Sequence, residues 1–342
     1  MRLGIITGGG DCPGLNAVIR AAVRKGVGVH GHTFMGFRDG WKGVVEDDSL
    51  GLGIPQITGI LHRGGTILGS SGMNPFRVDG GAEAVEATFE RRGLDGLIAI
   101  GGEGTLGAAA VFADRGLPVV GVPKTIDNDL AGTDITVGFH TAVQVATDAI
   151  DRLHSTAESH DRVMLVEVMG RHAGWIAIYA GIAGGADVIL IPEHPFDIED
   201  VCRLLRHRHM QRSSFSIVVV AEGAIPQEGT LDLPEHELDE NGFPRLGGVA
   251  NHIAPEIEKR TGFETRVTIL GHVQRGGSPV AFDRVLATRM GLAAVDLATA
   301  GGWGRMAARQ AQEIVDVPLR DAVDHRSVVP LDLYRDAEVF FG

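Results

Sequence analysis

The chain has 342 residues, 44% apolar and 22% charged, which is an ordinary globular balance in a chain too long for one small core. Its formal charge of −13 offers nothing global to attract nucleic acid or an anionic membrane, so any anion site must be positive locally. Two cysteines far apart, Cys12 and Cys202, exclude a disulfide framework, and no charge-free stretch reaches the roughly 18 residues of a spanning helix.

In chain order, short apolar runs at 3–7, 97–100, 119–122, 163–168, 188–191, 217–221 and 267–270 are predicted strands. Continuous runs of this length, without polar alternation, suit strands buried on both faces of a parallel sheet. Between them, 15–27 carries Leu15, Val18, Ile19, Ala22 and Val23, and 141–156 carries Ala142, Val143, Ala146, Ala149, Ile150 and Leu153. Both sets follow amphipathic helical spacing. Strands alternating with helices predict an α/β protein of two domains with mostly parallel, helix-flanked, Rossmann-like sheets. The stretch 224–245, acidic and holding three prolines, reads as a surface excursion, and so does the acidic 235–240 within it.

The informative pattern lies at the strand ends. GGGDCPG comes after the first strand, GGEGT after the second and PKTIDND after the third, while later strands end in MGRHAG (169–174), AEGA (221–224) and GHVQRGG (271–277). Ligands of open parallel sheets bind outside the carboxyl ends of their strands. The glycine loop at 8–14 opens a helix, and its backbone N–H groups suit an anion, although it matches neither the P-loop nor the dinucleotide pattern. In Gly101-Gly102-Glu103-Gly104-Thr105 an acid sits inside a glycine turn, where it can hold Mg²⁺ against phosphate oxygens.

Lys124, Thr125, Asp127 and Asp129 crowd into six residues, which is costly to assemble for structure alone. Asp127 and Asp129 alternate, so on an extended segment they share one side. One would serve a metal and the other take a proton. Arg162, Arg171, His172, Arg266, His272 and Arg275 fall near strand ends and suggest a cationic pocket for a phosphorylated substrate. Glu222 comes directly after a strand and would accept hydrogen bonds from substrate hydroxyls. His207, His209 and the three tryptophans read as structural.

With these residues assembled, the chain resembles the 6-phosphofructokinase family along nearly its whole length. GGGDCPGLN, GGEGT, PKTIDND, MGRHAGW and LGHVQRGGSP stand in that family's order. The resemblance implies the phosphofructokinase fold, with 1–140 and 275–325 as the phosphoryl-donor domain and 141–274 and 326–342 as the fructose 6-phosphate domain. It implies Asp127 as the base for the sugar 1-hydroxyl with Thr125 beside it, and Glu103 as the Mg²⁺-associated acid. Gly10, Gly102, Glu103, Gly104 and Thr105 fall where the donor lies. Thr125, Ile126, Met169, Gly170, Arg171, Glu222, His272, Val273, Gln274 and Arg275 fall where the sugar phosphate lies. Arg162 and Arg266 match arginines that reach it from a neighbouring subunit, which implies a homo-oligomer, a dimer or tetramer. The sparse, distant cysteines and the lack of leader-like or spanning patterns make a cytoplasmic protein the expectation. No nucleic-acid or membrane partner is expected.

Two positions bear on the donor. Diphosphate-using members of the family carry Asp at the place of Gly104, so this glycine argues for ATP, whereas Lys124 resembles the diphosphate lineage. Steric exclusion is the harder constraint, which makes the expectation an ATP user of the mixed-donor branch. Gly72 stands where bacterial ATP enzymes of the family have an arginine, with Lys124 or Arg77 as candidate replacements. A weakly active sugar-phosphate or nucleotide sensor is the reading from another class; Asp127, Glu103 and Thr125 argue against it.

Overall fold

The computed structural model describes residues 1–211, 215–234 and 247–342, so the stretch 235–240 lies outside the described residues. The chain divides into two compact units, Met1–Thr141 with Arg275–Ser327 and Ala142–Gln274 with Val328–Gly342. The first unit begins with β1 (Arg2–Thr7), α1 (Leu15–Gly28), β2 (Thr33–Phe37), α2 (Trp41–Glu46), β3 (Ser49–Leu52), α3 (Gly81–Arg92), β4 (Gly96–Gly101), α4 (Glu103–Asp114), β5 (Val119–Thr125) and β6 (Val137–Gly138). Helix α5 (Phe139–His160) leads into β7 (Val163–Val168), α6 (Trp175–Ala183), β8 (Val188–Leu190), α7 (Ile198–Met210), β9 (Ser216–Ala221), α8 (Val249–Thr261) and β10 (Thr265–Ile269). The chain returns to the first unit as α9 (Ala281–Thr299), β11 (Arg305–Gln310), β12 (Glu313–Pro318) and α10 (Leu319–Asp324). Helix α11 (Leu331–Glu338) belongs to the second.

The sheet of the first unit runs β12-β11-β5-β4-β1-β2-β3, with β6 paired to the end of β5. Strands β11, β5, β4, β1 and β2 are parallel, and antiparallel β12 and β3 close the two edges. All six residues of β4 are buried, as are five of the six in β1, because helices cover both faces. Ile6, Leu97, Ala99 and Val119 form one core with Leu106 and Phe112 of α4 and with Trp41.

The second unit holds an all-parallel sheet in the order β10-β7-β9-β8. Val163, Leu165, Val218 and Val220 pack against Val201 and Leu205 of α7 and Ile253 and Ile257 of α8. The architecture is the expected α/β class with mostly parallel sheets. In both sheets the loops singled out in the sequence leave the carboxyl ends of parallel strands. Thr141, Arg326 and Ser327, expected in the second unit, belong to the first. Leu130 bridges Arg326 in antiparallel fashion, and the Ser327 N–H donates to the Asp129 carbonyl at 3.0 Å.

Candidate active site

Three loops of the first unit converge on one another. Gly8 and Gly101 both press on Thr105, so closely that a Cβ at either would collide with its side chain. The Gly8 N–H donates to the Ile100 carbonyl at 3.0 Å, which ties β1's loop to β4. A Cβ at Gly102 would lie 3.5 Å from the Lys124 carbonyl oxygen, so the second loop lies along the end of β5. Thr105, expected beside the donor, is a buried strut between two loops, and Trp41 Nε1 donates to its carbonyl at 3.1 Å.

Two cations hold the 8–14 loop. Lys124 is buried and its Nζ donates to the Gly10 carbonyl, while Arg275 Nη1 donates to the Asp11 carbonyl at 3.3 Å. Burial lowers the Lys124 pKa first, and the Arg275 charge adds to this. Beneath them Cys12 is fully buried and its thiol pKa is raised to about 12 by that burial, despite the opposing Lys124 charge. Such a thiol is inert.

Strand β5 ends at Thr125, and the next residues turn; they do not stay extended. Asn128 takes a left-handed conformation, φ 54°, so Asp127 and Asp129 are not neighbours on one face of a strand as their alternation suggests. Asn128 pins the turn: its Nδ2 donates to the Asp134 carbonyl at 3.2 Å and its Oδ1 accepts from the Thr136 N–H at 2.9 Å. Asparagine tolerates this geometry better than most residues, a signal present in the IDND motif. Thr125 Oγ1 accepts from the Asp127 N–H at 3.1 Å, and Ile126 is fully buried in the core.

Asp129 still feels the other two acids. Burial, then the charges of Asp127 and Glu103, push the Asp129 pKa up to about 7, and Arg326 acts in the opposite direction. Glu103 opens α4, where an acid complements the helix dipole, and Arg326 Nη2 reaches its two oxygens at 3.1 and 3.4 Å. Sequence reasoning missed Arg326, because nothing local links it to a loop two hundred residues earlier. Apart from the flanking residues and, at Gly104, the backbone of its own helix, no heavy atom among the described residues lies within 4 Å of where a Cβ would stand at Gly104 or Gly72. Arg77 is exposed at the end of the 3₁₀ turn Pro75–Arg77, whose first residue is buried.

In the second unit, Met169, Gly170 and Arg171 leave the end of β7. The Met169 N–H donates to Gln274 Oε1 at 3.2 Å, and Gln274 is wholly buried, its Nε2 bonded to the Gly271 carbonyl. Gly170 has φ 143°, and the Gly223 N–H donates to its carbonyl at 3.1 Å, so the loops after β7 and β9 are zipped together. The Glu222 N–H bonds the Val168 carbonyl at 2.8 Å. Beyond the motif, Glu193 takes the Gly174 N–H on both oxygens at 3.0 Å and the Val329 N–H at 2.9 Å. His272 and Val273 are exposed.

Arg162 and Arg266 do not join that group. Arg162 precedes β7 and Met169 comes after it, so the two flank a six-residue strand, about 20 Å long. Arg266, the second residue of β10, pairs in register with Met164. Glu264 binds both arginines, Arg162 at 2.9 Å, and the Arg162 hydrogen bond keeps its carboxyl below the usual range. Within this unit Arg162 and Arg266 therefore lie away from the strand ends that carry Arg171 and His272, and Arg275, the sixth expected cation, belongs to the first unit. His209 stacks on Phe263 at 3.8 Å and His207 bonds Gln211, both structural.

These loop ends match a known pattern. The family model described as phosphofructokinase matches residues 2–298. The chain belongs to the phosphofructokinase family. It is 57% identical, over the whole length of both chains, to a pyrophosphate–fructose 6-phosphate 1-phosphotransferase of Streptomyces coelicolor. It is 54% identical, again over the whole length of both, to an ATP-dependent 6-phosphofructokinase of Mycobacterium bovis. Among solved structures it is similar to the T-state phosphofructokinase of Pichia pastoris, with a TM-score of 0.83 and 34% identity. That match covers 94% of this chain and 35% of the longer yeast chain. No helix among the described residues is long and apolar enough to cross a membrane.

Proposed function

We propose that the protein transfers the γ-phosphoryl group of ATP to the 1-hydroxyl of fructose 6-phosphate, giving fructose 1,6-bisphosphate and ADP in glycolysis. The observation that carries this reading is the meeting of the 8–14, 101–105 and 124–130 loops at the carboxyl ends of three adjacent parallel strands. In this reading Asp127 accepts the proton of the sugar hydroxyl. The bond from O1 to the γ-phosphorus forms as the bond from that phosphorus to the β-phosphate oxygen breaks, with no covalent enzyme intermediate. Thr125 holds the Asp127 backbone, and the glycine loop presents N–H groups to the donor phosphates.

The carboxylates are of the kind that holds magnesium through one or two side chains together with substrate phosphates. Glu103, Asp127 and Asp129 are hard oxygen donors, although among the described residues no three such side chains form a ready metal cluster. Burial, then the charge of Asp127, pushes the Asp129 pKa up. Glu103 would hold the ion, with Asp129 close by, and the ion would neutralise charge on the transferred phosphoryl group. Arg171, Glu222, His272 and the Gln274-held Met169 would bind the sugar phosphate. Arg162 and Arg266 would serve a neighbouring subunit of a homo-oligomer, which accords with their place at the other end of β7.

The glycine at 104 supports ATP, since no side chain stands at that position on the first turn of α4, where the inner phosphate and nucleoside would lie, and no distant residue crowds the place of its missing Cβ. Diphosphate is the second reading, favoured by the buried Lys124 and by the name of the 57%-identical relative. Purified protein coupled to aldolase and supplied with magnesium-ATP or magnesium-diphosphate in parallel separates them. Faster turnover with ATP is expected, and a preference for diphosphate overturns the use made of Gly104.

A further inference from the structure

The first unit gathers three acids, Asp127, Asp129 and Glu103, at the place where a polyanionic donor would arrive. Two nearby cations are already committed to main-chain carbonyls, Lys124 to Gly10 and Arg275 to Asp11. Arg326 is different. Its guanidinium bonds a carboxylate, Glu103, and both side chains of that pair are nearly half exposed, 43% and 47%. An ion pair this wet contributes little to stability. Its backbone, in contrast, is fixed to the turn that carries Asp127, through the bridge to Leu130 and the Ser327 bond to Asp129. A rigid backbone thus carries a side chain whose partner is exchangeable.

We propose that Arg326 is a catalytic residue on the donor side of the transfer: it holds Glu103 while the site is empty and passes to the phosphate oxygens when Glu103 turns to the divalent cation. An arginine fork matches phosphate oxygens as well as it matches a carboxylate, so the exchange keeps its hydrogen bonds satisfied. The exchange also delivers a positive charge to the phosphoryl group only when metal and donor are both present. In the free protein the same pairing keeps Glu103 from standing as an unneutralised third acid beside Asp127 and Asp129. The inference rests on the function proposed above.

Arg326→Ala tests it, because the bridge to Leu130 and the Ser327 bond are main-chain contacts that survive the change. Turnover with the preferred donor should fall about 10²-fold, the usual loss when a charge-stabilising donor is removed, with the sugar-phosphate KM within about twofold. Arg326→Lys, a point charge without the fork, should recover part of the loss. The second readout needs no turnover. Mn²⁺ binding to the protein alone, followed by electron paramagnetic resonance, should tighten at least about threefold in Arg326→Ala, because Glu103 has lost its competitor. Both changes together support the exchange. Turnover of the alanine variant within about threefold of the wild type, or Mn²⁺ affinity unchanged or weakened, overturns it. A wild-type protein that transfers from neither donor would sink the proposed function alone, and the Mn²⁺ measurement would still decide the exchange.

Discussion

At the strand ends of the eight-stranded unit the charged groups are crowded and partly dehydrated, whereas in the four-stranded unit they are tied to partners. Lys124 is buried on a carbonyl and Asp129 is pushed up to about 7. Glu193 instead receives N–H groups from both Gly174 and Val329, and Glu264 sits between Arg162 and Arg266. Under the proposed function the first arrangement costs free energy that a bound metal and phosphates would recover, as electrostatic stabilisation of phosphoryl transfer needs. The second is already satisfied, and suits recognition of a substrate by a preformed surface.

Four substitutions test this contrast. Asp127→Ala should lower kcat by about 10²-fold or more with little change in KM, as loss of a general base does. Near-normal turnover would remove the crowded unit from the chemistry. Glu193→Ala should cost about 1–3 kcal/mol in denaturant unfolding, because two backbone N–H groups lose their acceptor. It should also raise the sugar-phosphate KM while leaving kcat nearly intact; an equal loss in kcat would mean the tied unit acts in the transfer step.

Asp129→Asn probes dehydration directly. An unfolded aspartate ionises near 3.8, and Asp129 in the fold near 7. Between these values the folded protein holds a proton that the unfolded chain has lost, so this group's contribution to stability falls as pH rises from about 4 to about 7. The metal-free variant should therefore gain on the wild type across that window, by roughly 1–2 kcal/mol after solvent screening, and lose the advantage near pH 4. A difference independent of pH would place Asp129 among the satisfied groups. Glu264→Gln should change stability least, by about 0.2–1 kcal/mol, as an exposed pair does.

Much of this was legible in the sequence, for physical reasons. Val163–Val168 is a continuous apolar run because both its faces are covered, and its predicted bounds match the strand. Strands β2, β3, β11 and β12 leave no such mark, since the first pair is short and glycine-bearing, RMAARQ in β11 has only three buried residues between charged or polar ends, and β12 is an edge strand with no fully buried residue. The alternation of Asp127 and Asp129 misled for a local reason: Asn128 reverses the backbone between them. Arg326, Glu193 and Gln274 were the hardest to judge. Each acts on a loop distant in sequence, and no spacing rule joins residues that meet only through the fold.

The return of the chain from the second unit to the first has a consequence for its synthesis. Strand β5 is flanked by β4 and by β11, with Arg305 opposite Val120, so its second neighbour emerges from the ribosome about 180 residues after it. At about 5–20 residues per second that interval is on the order of 10–40 s. Throughout it the Val120–Gly121 part of β5 lacks its β11 partner, and only Lys124 and Thr125 at the strand's end are covered early, by β6. That edge is open to pairing with another chain while β7 to β10 are already complete. Chains stalled on the ribosome just before Arg305 should therefore be cleaved by protease near β5 and spared across the four-stranded sheet; equal protection of both would show that the nascent edge finds cover before β11 arrives.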